Sequence, residues 1–125
     1  DRLVASVPVL AMLAAPMPVL ERRARDLAAL LGQIGGLDVT EADGRSYSGG
    51  GSLPETALPT RLVTIRAPGG PGTEELARRL RLHRPAIVGR IAGGRLVLDA
   101  RTLEDRDLHE IAGAFGAVLA EAASA

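Results

Sequence analysis

The chain has 125 residues, about one domain's worth, with no cysteine and with fifteen basic residues balanced by fifteen acidic ones. That composition excludes disulfides, thiolate metal centres and cysteine nucleophiles, and it gives the chain no bulk attraction to nucleic acid or anionic membrane. Apolar residues make up 46% and aromatic residues 2%, and every basic residue is arginine, so the core is built of Leu, Val, Ile and Ala and no lysine is present to form an internal Schiff base.

In chain order, Asp1–Ala15 is apolar but does not read as a signal peptide, because it opens on Asp1, contains Pro8 and has no basic stretch beyond Arg2. No run approaches the ~20 apolar residues that cross a bilayer. The chain lacks an initiator Met, which points to a piece of a longer polypeptide, with residues 1–18 as a connecting segment. Pro18 suits the first turn of a helix in which Leu20, Ala24, Leu27, Leu31 and Ile34 recur at steps of four and three. Glu21 with Arg25, and Arg22 with Asp26, stand four apart on its wet face. Leu37–Thr40 alternates as a strand, Ala42–Pro59 is rich in turn residues, and Leu62–Arg66 is a second strand. Thr73 fits an N-cap for a short helix carrying Leu76, Ala77 and Leu80, with Glu74 and Glu75 at its positive end. Ala86–Ile91 and Arg95–Ala100 read as two strands of a hairpin turning at Ala92-Gly93-Gly94. A last helix begins near Glu104 and buries Leu108, Ile111, Ala112, Phe115, Val118 and Leu119.

This order predicts one α+β domain over residues 1–125: a small antiparallel or mixed sheet of three to four strands with helices packed on one face. Candidate chemistry is sparse. His83 and His109 lie on different predicted helices without a third ligand, so no metal site is expected. Ser46, Ser48 and Ser52 lack the Gly-x-Ser-x-Gly surroundings of a nucleophile elbow. Two features stand out. Gly49, Gly50, Gly51 and Ser52 form either a flexible loop or a backbone N–H concavity for an anion or substrate. Arg90 interrupts an apolar strand; it either sits on a solvent face or presents a guanidinium fork to a carboxylate or phosphate, and Asp99 and Arg101 flank the partner strand, where Asp99 offers a carboxylate for a structural ion pair.

Four stretches carry a resemblance. They are Val7–Leu13, Gly49-Gly50-Gly51-Ser52-Leu53-Pro54, Leu58-Pro59, and Ala86–Ile91 running through Leu96–Thr102. Together, over nearly the whole chain, they resemble the C-terminal part of bacterial selenocysteine synthase, the L-seryl-tRNA(Sec) selenium transferases. One departure is Ala11, where that family often has Arg. The resemblance implies the small domain of a fold-type I transferase dependent on pyridoxal 5'-phosphate (PLP), which converts seryl-tRNA(Sec) to selenocysteinyl-tRNA(Sec) with selenophosphate. It implies a preceding large domain holding the PLP lysine, a ring-like homo-oligomer, and tRNA contacts mainly in regions outside this chain. It also implies that Arg90 recognises a substrate carboxylate or phosphate, and that Gly49–Ser52 line the active-site mouth or a subunit contact. On that reading this chain holds no catalytic residue of its own, binds no cofactor covalently and works in the cytoplasm. Two other readings stay open: a ferredoxin-like regulatory or protein-interaction module, and the small domain of a related PLP-dependent lyase.

Overall fold

The computed structural model describes residues 15–47 and 57–124. The first helix, α1 (Met17–Gly32), starts where Pro16 holds an extended N-cap and Pro18 occupies the first turn. Its stripe of Leu20, Ala24, Leu27 and Leu31 is buried. Gly35 and Gly36 then take positive φ (81° and 79°), the region that suits a residue without Cβ, and redirect the chain into the sheet.

β1 (Asp38–Tyr47) and β2 (Ala57–Arg66) pair antiparallel without a break, from Asp38 opposite Arg66 to Tyr47 opposite Ala57. Both strands extend well into the stretch whose composition reads as turn. The reasons are local. β1 is an edge strand, so Asp43 and Gly44 interrupt no second ladder. Gly44 also lies beneath Leu62, whose side chain occupies the space that a Cβ there would need. Pro59 is tolerated because β2 pairs on its other side only from Leu62 onward, so no second partner needs its missing N–H.

From β2 the chain passes through α2 (Thr73–Leu82) to β3 (Arg90–Ala92) and returns in β4 (Arg95–Asp99), giving one four-stranded antiparallel sheet of order β1-β2-β4-β3. The hairpin turn is Gly93-Gly94, both at positive φ. β3 is shorter than the expected Ala86–Ile91, because the Ile87 amide donates to Leu80 O (2.9 Å) and holds that segment against the end of α2. Gly72, not Thr73, is the N-cap of α2; the Thr73 hydroxyl instead donates to Gly94 O (2.7 Å) and ties the helix start to the hairpin. Two short 3-10 turns, Ala100–Thr102 and Asp105–Asp107, lead into α3 (Leu108–Ser124). Glu104 and Asp107 form a reciprocal capping box at this junction, so the regular helix begins four residues later than its charge pattern indicates.

The core joins Leu20, Ala24, Leu27 and Leu31 of α1, Leu76, Ala77 and Leu80 of α2, and Leu108, Ile111, Ala114, Phe115 and Val118 of α3 to Val63, Ile65, Leu96 and Leu98 of the sheet. Those four strand residues share one face by register, so all three helices pack on that face. The opposite face carries Asp38, Thr40, Leu62, Thr64, Arg66, Arg90, Arg95 and Val97, and no described helix contributes a core residue to it. Among the described residues, no helix is long and apolar enough to cross a membrane.

Candidate functional site

The helix-free face holds a polar network. The Arg95 guanidinium donates from Nε to Thr64 Oγ1 (2.9 Å), from Nη1 to Asp38 Oδ2 (3.1 Å), and from Nη2 to the carbonyls of Asp38 (2.8 Å) and Thr64 (3.1 Å). Thr40 and Thr64 share a hydroxyl hydrogen bond of 2.6 Å, and Arg66 Nε reaches the same Asp38 carboxylate at 3.3 Å. The hydrogen bond from Arg95 is the main cause that holds the Asp38 carboxyl below its ordinary range. Arg95 is therefore fully committed to the fold.

Arg90 differs from Arg95. It stands opposite Val97 on the same face, is exposed, and has no hydrogen-bond or ion-pair partner among the described residues. The anticipated ion pair between Arg90 and Asp99 does not form. Asp99 Oδ1 accepts from Thr60 Oγ1 (2.6 Å) and from the Arg101 amide (2.9 Å), capping the first 3-10 turn. Arg101 is 5% exposed and donates to the carbonyls of Ala15 (3.0 Å) and Pro59. Thr102 Oγ1 returns to Asp99 O (2.8 Å). The Asp99-Ala100-Arg101-Thr102 stretch is thus a turn held by its own side chains, which pins the sheet to the segment before α1. Sequence pattern alone had no means of identifying those acceptors, because they are backbone carbonyls 86 and 42 residues away.

Gly89 explains how β3 is seated. A Cβ at this position would meet Val97 O at 2.8 Å and Leu96 Cδ1 and Leu98 Cδ2 at 3.0 Å, so the strand approaches β4 through a position that requires glycine. Gly49, Gly50, Gly51 and Ser52 lie outside the described residues, as does Ser48. The strand ends that frame them, Tyr47 and Ala57, are seven rows along β2 from the row of Arg90, roughly 25 Å across the sheet at ordinary strand spacings. Ser46 is 2% exposed, His83 Nδ1 lies 3.2 Å from Pro85 O, and no group of metal-ligating side chains occurs among the described residues.

Among the described residues, this one-sided α+β module presents one arginine without a partner, Arg90, on the sheet face opposite its three helices. The family model for L-seryl-tRNA selenium transferase matches residues 1–104. The L-seryl-tRNA(Sec) selenium transferase of Hyphomonas neptunium is 43% identical over 109 residues, covering 87% of this chain and 23% of the relative. That of Aquifex aeolicus is 42% identical over 105 residues (84% and 23%), and that of Solidesulfovibrio magneticus 40% over 115 residues (90% and 24%). The chain belongs to the L-seryl-tRNA selenium transferase family. It spans about a quarter of the length of these curated relatives.

Proposed function

We propose that this chain is the C-terminal small domain of a PLP-dependent enzyme that converts seryl-tRNA(Sec) to selenocysteinyl-tRNA(Sec), with selenophosphate as selenium donor. The observation that carries the reading is the family match over residues 1–104, joined to relatives of that name at about 40% identity. PLP bound in such an enzyme supplies an electron sink at the seryl α-carbon. The chain contains no lysine, so its residues do not fit the covalent anchor, and that anchor belongs to a large domain elsewhere in the polypeptide. What this chain offers is the exposed Arg90 guanidinium, whose fork geometry matches a carboxylate or phosphate. Arg90 and the Gly49–Ser52 loop are the substrate-side contacts of the proposal, and the helix-free sheet face is the side turned toward the large domain. A cytoplasmic homo-oligomer, with tRNA held mainly by other regions, completes the reading.

The ferredoxin-like alternative has less support. The order strand–strand–helix–strand–strand between two helices differs from the βαββαβ order of that fold. The decisive assay supplies the longer protein with seryl-tRNA(Sec) and selenophosphate and looks for selenocysteinyl-tRNA(Sec); no product would overturn the reading. The 125-residue chain mixed with PLP is expected to show no Schiff-base absorbance band.

A further inference from the structure

We propose that Arg101 is a positioning residue, which fixes the direction in which the polypeptide leading into α1 leaves the domain. The inference rests on the reading of this chain as the small domain of a larger enzyme, since that direction then decides where the sheet face carrying Arg90 comes to lie.

Three segments meet at this arginine. The first is the 3-10 turn that carries it, itself held by the Asp99 cap, by the Thr102 hydroxyl on Asp99 O and by the Leu103 amide on Ala100 O (3.2 Å). The second is the entry to α1. Ala15 O is the last carbonyl before the N-cap, and the amides of Val19 and Leu20 turn to Pro16 O instead (3.0 and 3.2 Å), so Arg101 Nη1 is the donor that engages Ala15. The third is the start of β2, where Nη2 engages Pro59 O while the neighbouring Thr60 hydroxyl binds Asp99. Arg23 closes the joint from the helix side. Its Nη1 donates to Ala100 O and Leu103 O, and its Nε to Asp105 Oδ1 (3.1 Å). Pro16 and Pro18 have ring-restricted φ angles and no N–H, so neither donates a hydrogen bond of its own at this entry.

Space filling alone calls for an apolar side chain at this buried position. What a guanidinium adds is several donors in a rigid fork, and here two of them reach backbone carbonyls of two separate segments. Lysine's single ammonium lacks that fork.

The test pairs Arg101→Met with Arg101→Lys. In amide hydrogen exchange on the 125-residue chain, Arg101→Met is expected to speed exchange at least tenfold at Val19, Leu20 and the start of β2. The amides of α2 from Leu76 to Leu80 should stay within twofold of the parent, and Arg101→Lys should fall between. A uniform acceleration across the domain would overturn the proposal, since that is the signature of lost stability and not of a loosened joint. In the longer enzyme, Arg101→Met should lower kcat about tenfold with KM for seryl-tRNA(Sec) nearly unchanged at equal folded fraction, and Arg101→Lys should recover part of it. Unaltered turnover would likewise overturn the positioning role. An unmutated longer protein that makes no selenocysteinyl-tRNA refutes the functional reading itself, while the exchange comparison still decides whether Arg101 holds the joint.

Discussion

Arg90 and Gly89 are neighbours with opposite fates. Gly89→Ala drives a methyl group against Val97 O and the side chains of Leu96 and Leu98, and overpacking of this kind costs about 1–3 kcal/mol, readable as a lower urea midpoint at unchanged slope. Arg90→Ala removes an exposed side chain without a described partner, so stability should change by less than about 0.5 kcal/mol. If Arg90 is the substrate contact of the proposed function, the same substitution should lower kcat/KM in the longer enzyme with the melting curve unmoved, and an unchanged kcat/KM would remove Arg90 from the site. The exposure of Arg90 was one of the two readings that its strand pattern left open. The roles of Asp99 and Arg101 were not legible, because their partners are a hydroxyl on another strand and carbonyls distant in sequence.

Helices were more legible than strands, for a physical reason. The stripes of α1 and α3 face a core on one side and water on the other, and that contrast is written at helical spacing. Phe115, fully buried in α3, is the largest of the core side chains; Phe115→Ala should cost about 3–5 kcal/mol, a loss that equilibrium denaturation can measure directly. β1 and β2 gave a weaker signal, since Gly44, Ser46 and Pro59 are common in turns and depleted in strands. Their place in the sheet became clear only with the register: Gly44 accommodates Leu62, and Pro59 lies where β2 has a single neighbour. At the other end, Ala86–Gly89 has strand composition but is captured by α2 through the Ile87–Leu80 hydrogen bond.

At the scale of the whole molecule, arginine–carboxylate pairs set the response to acid. Hydrogen bonds from Arg78 and then Arg79 hold the Glu75 carboxyl at about 2 against its ordinary 4.5, and Arg22 with Arg23 similarly depresses Asp105. These pKa values are lower in the folded than in the unfolded chain. The stabilisation they give is therefore full above the unfolded value, and for Glu75 it is lost as pH falls from about 4.5 toward about 2. Glu75→Gln should melt below the parent at pH 7 and converge with it near pH 2, and added salt should narrow the gap at pH 7 because the pair is exposed. A constant gap across that range would exclude the pair as its source. The family resemblance was also a whole-chain property, legible because four separated stretches occur in one order. The Gly49–Ser52 stretch that carries part of it lies outside the described residues, and the strand ends that frame it stand seven rows along β2 from the row of Arg90.

The unbroken ladder between β1 and β2 has a consequence in time. Its pairs join residues between 10 positions apart, at Tyr47 and Ala57, and 28 apart, at Asp38 and Arg66, whereas β4 reaches β2 only across 31 to 37. Shorter loops lose less chain entropy on closing, so the first hairpin is set to zip before the second docks against it. Slower refolding should then follow from substitutions that weaken β1–β2 contacts, and faster unfolding from those that loosen the seating of β3 and β4.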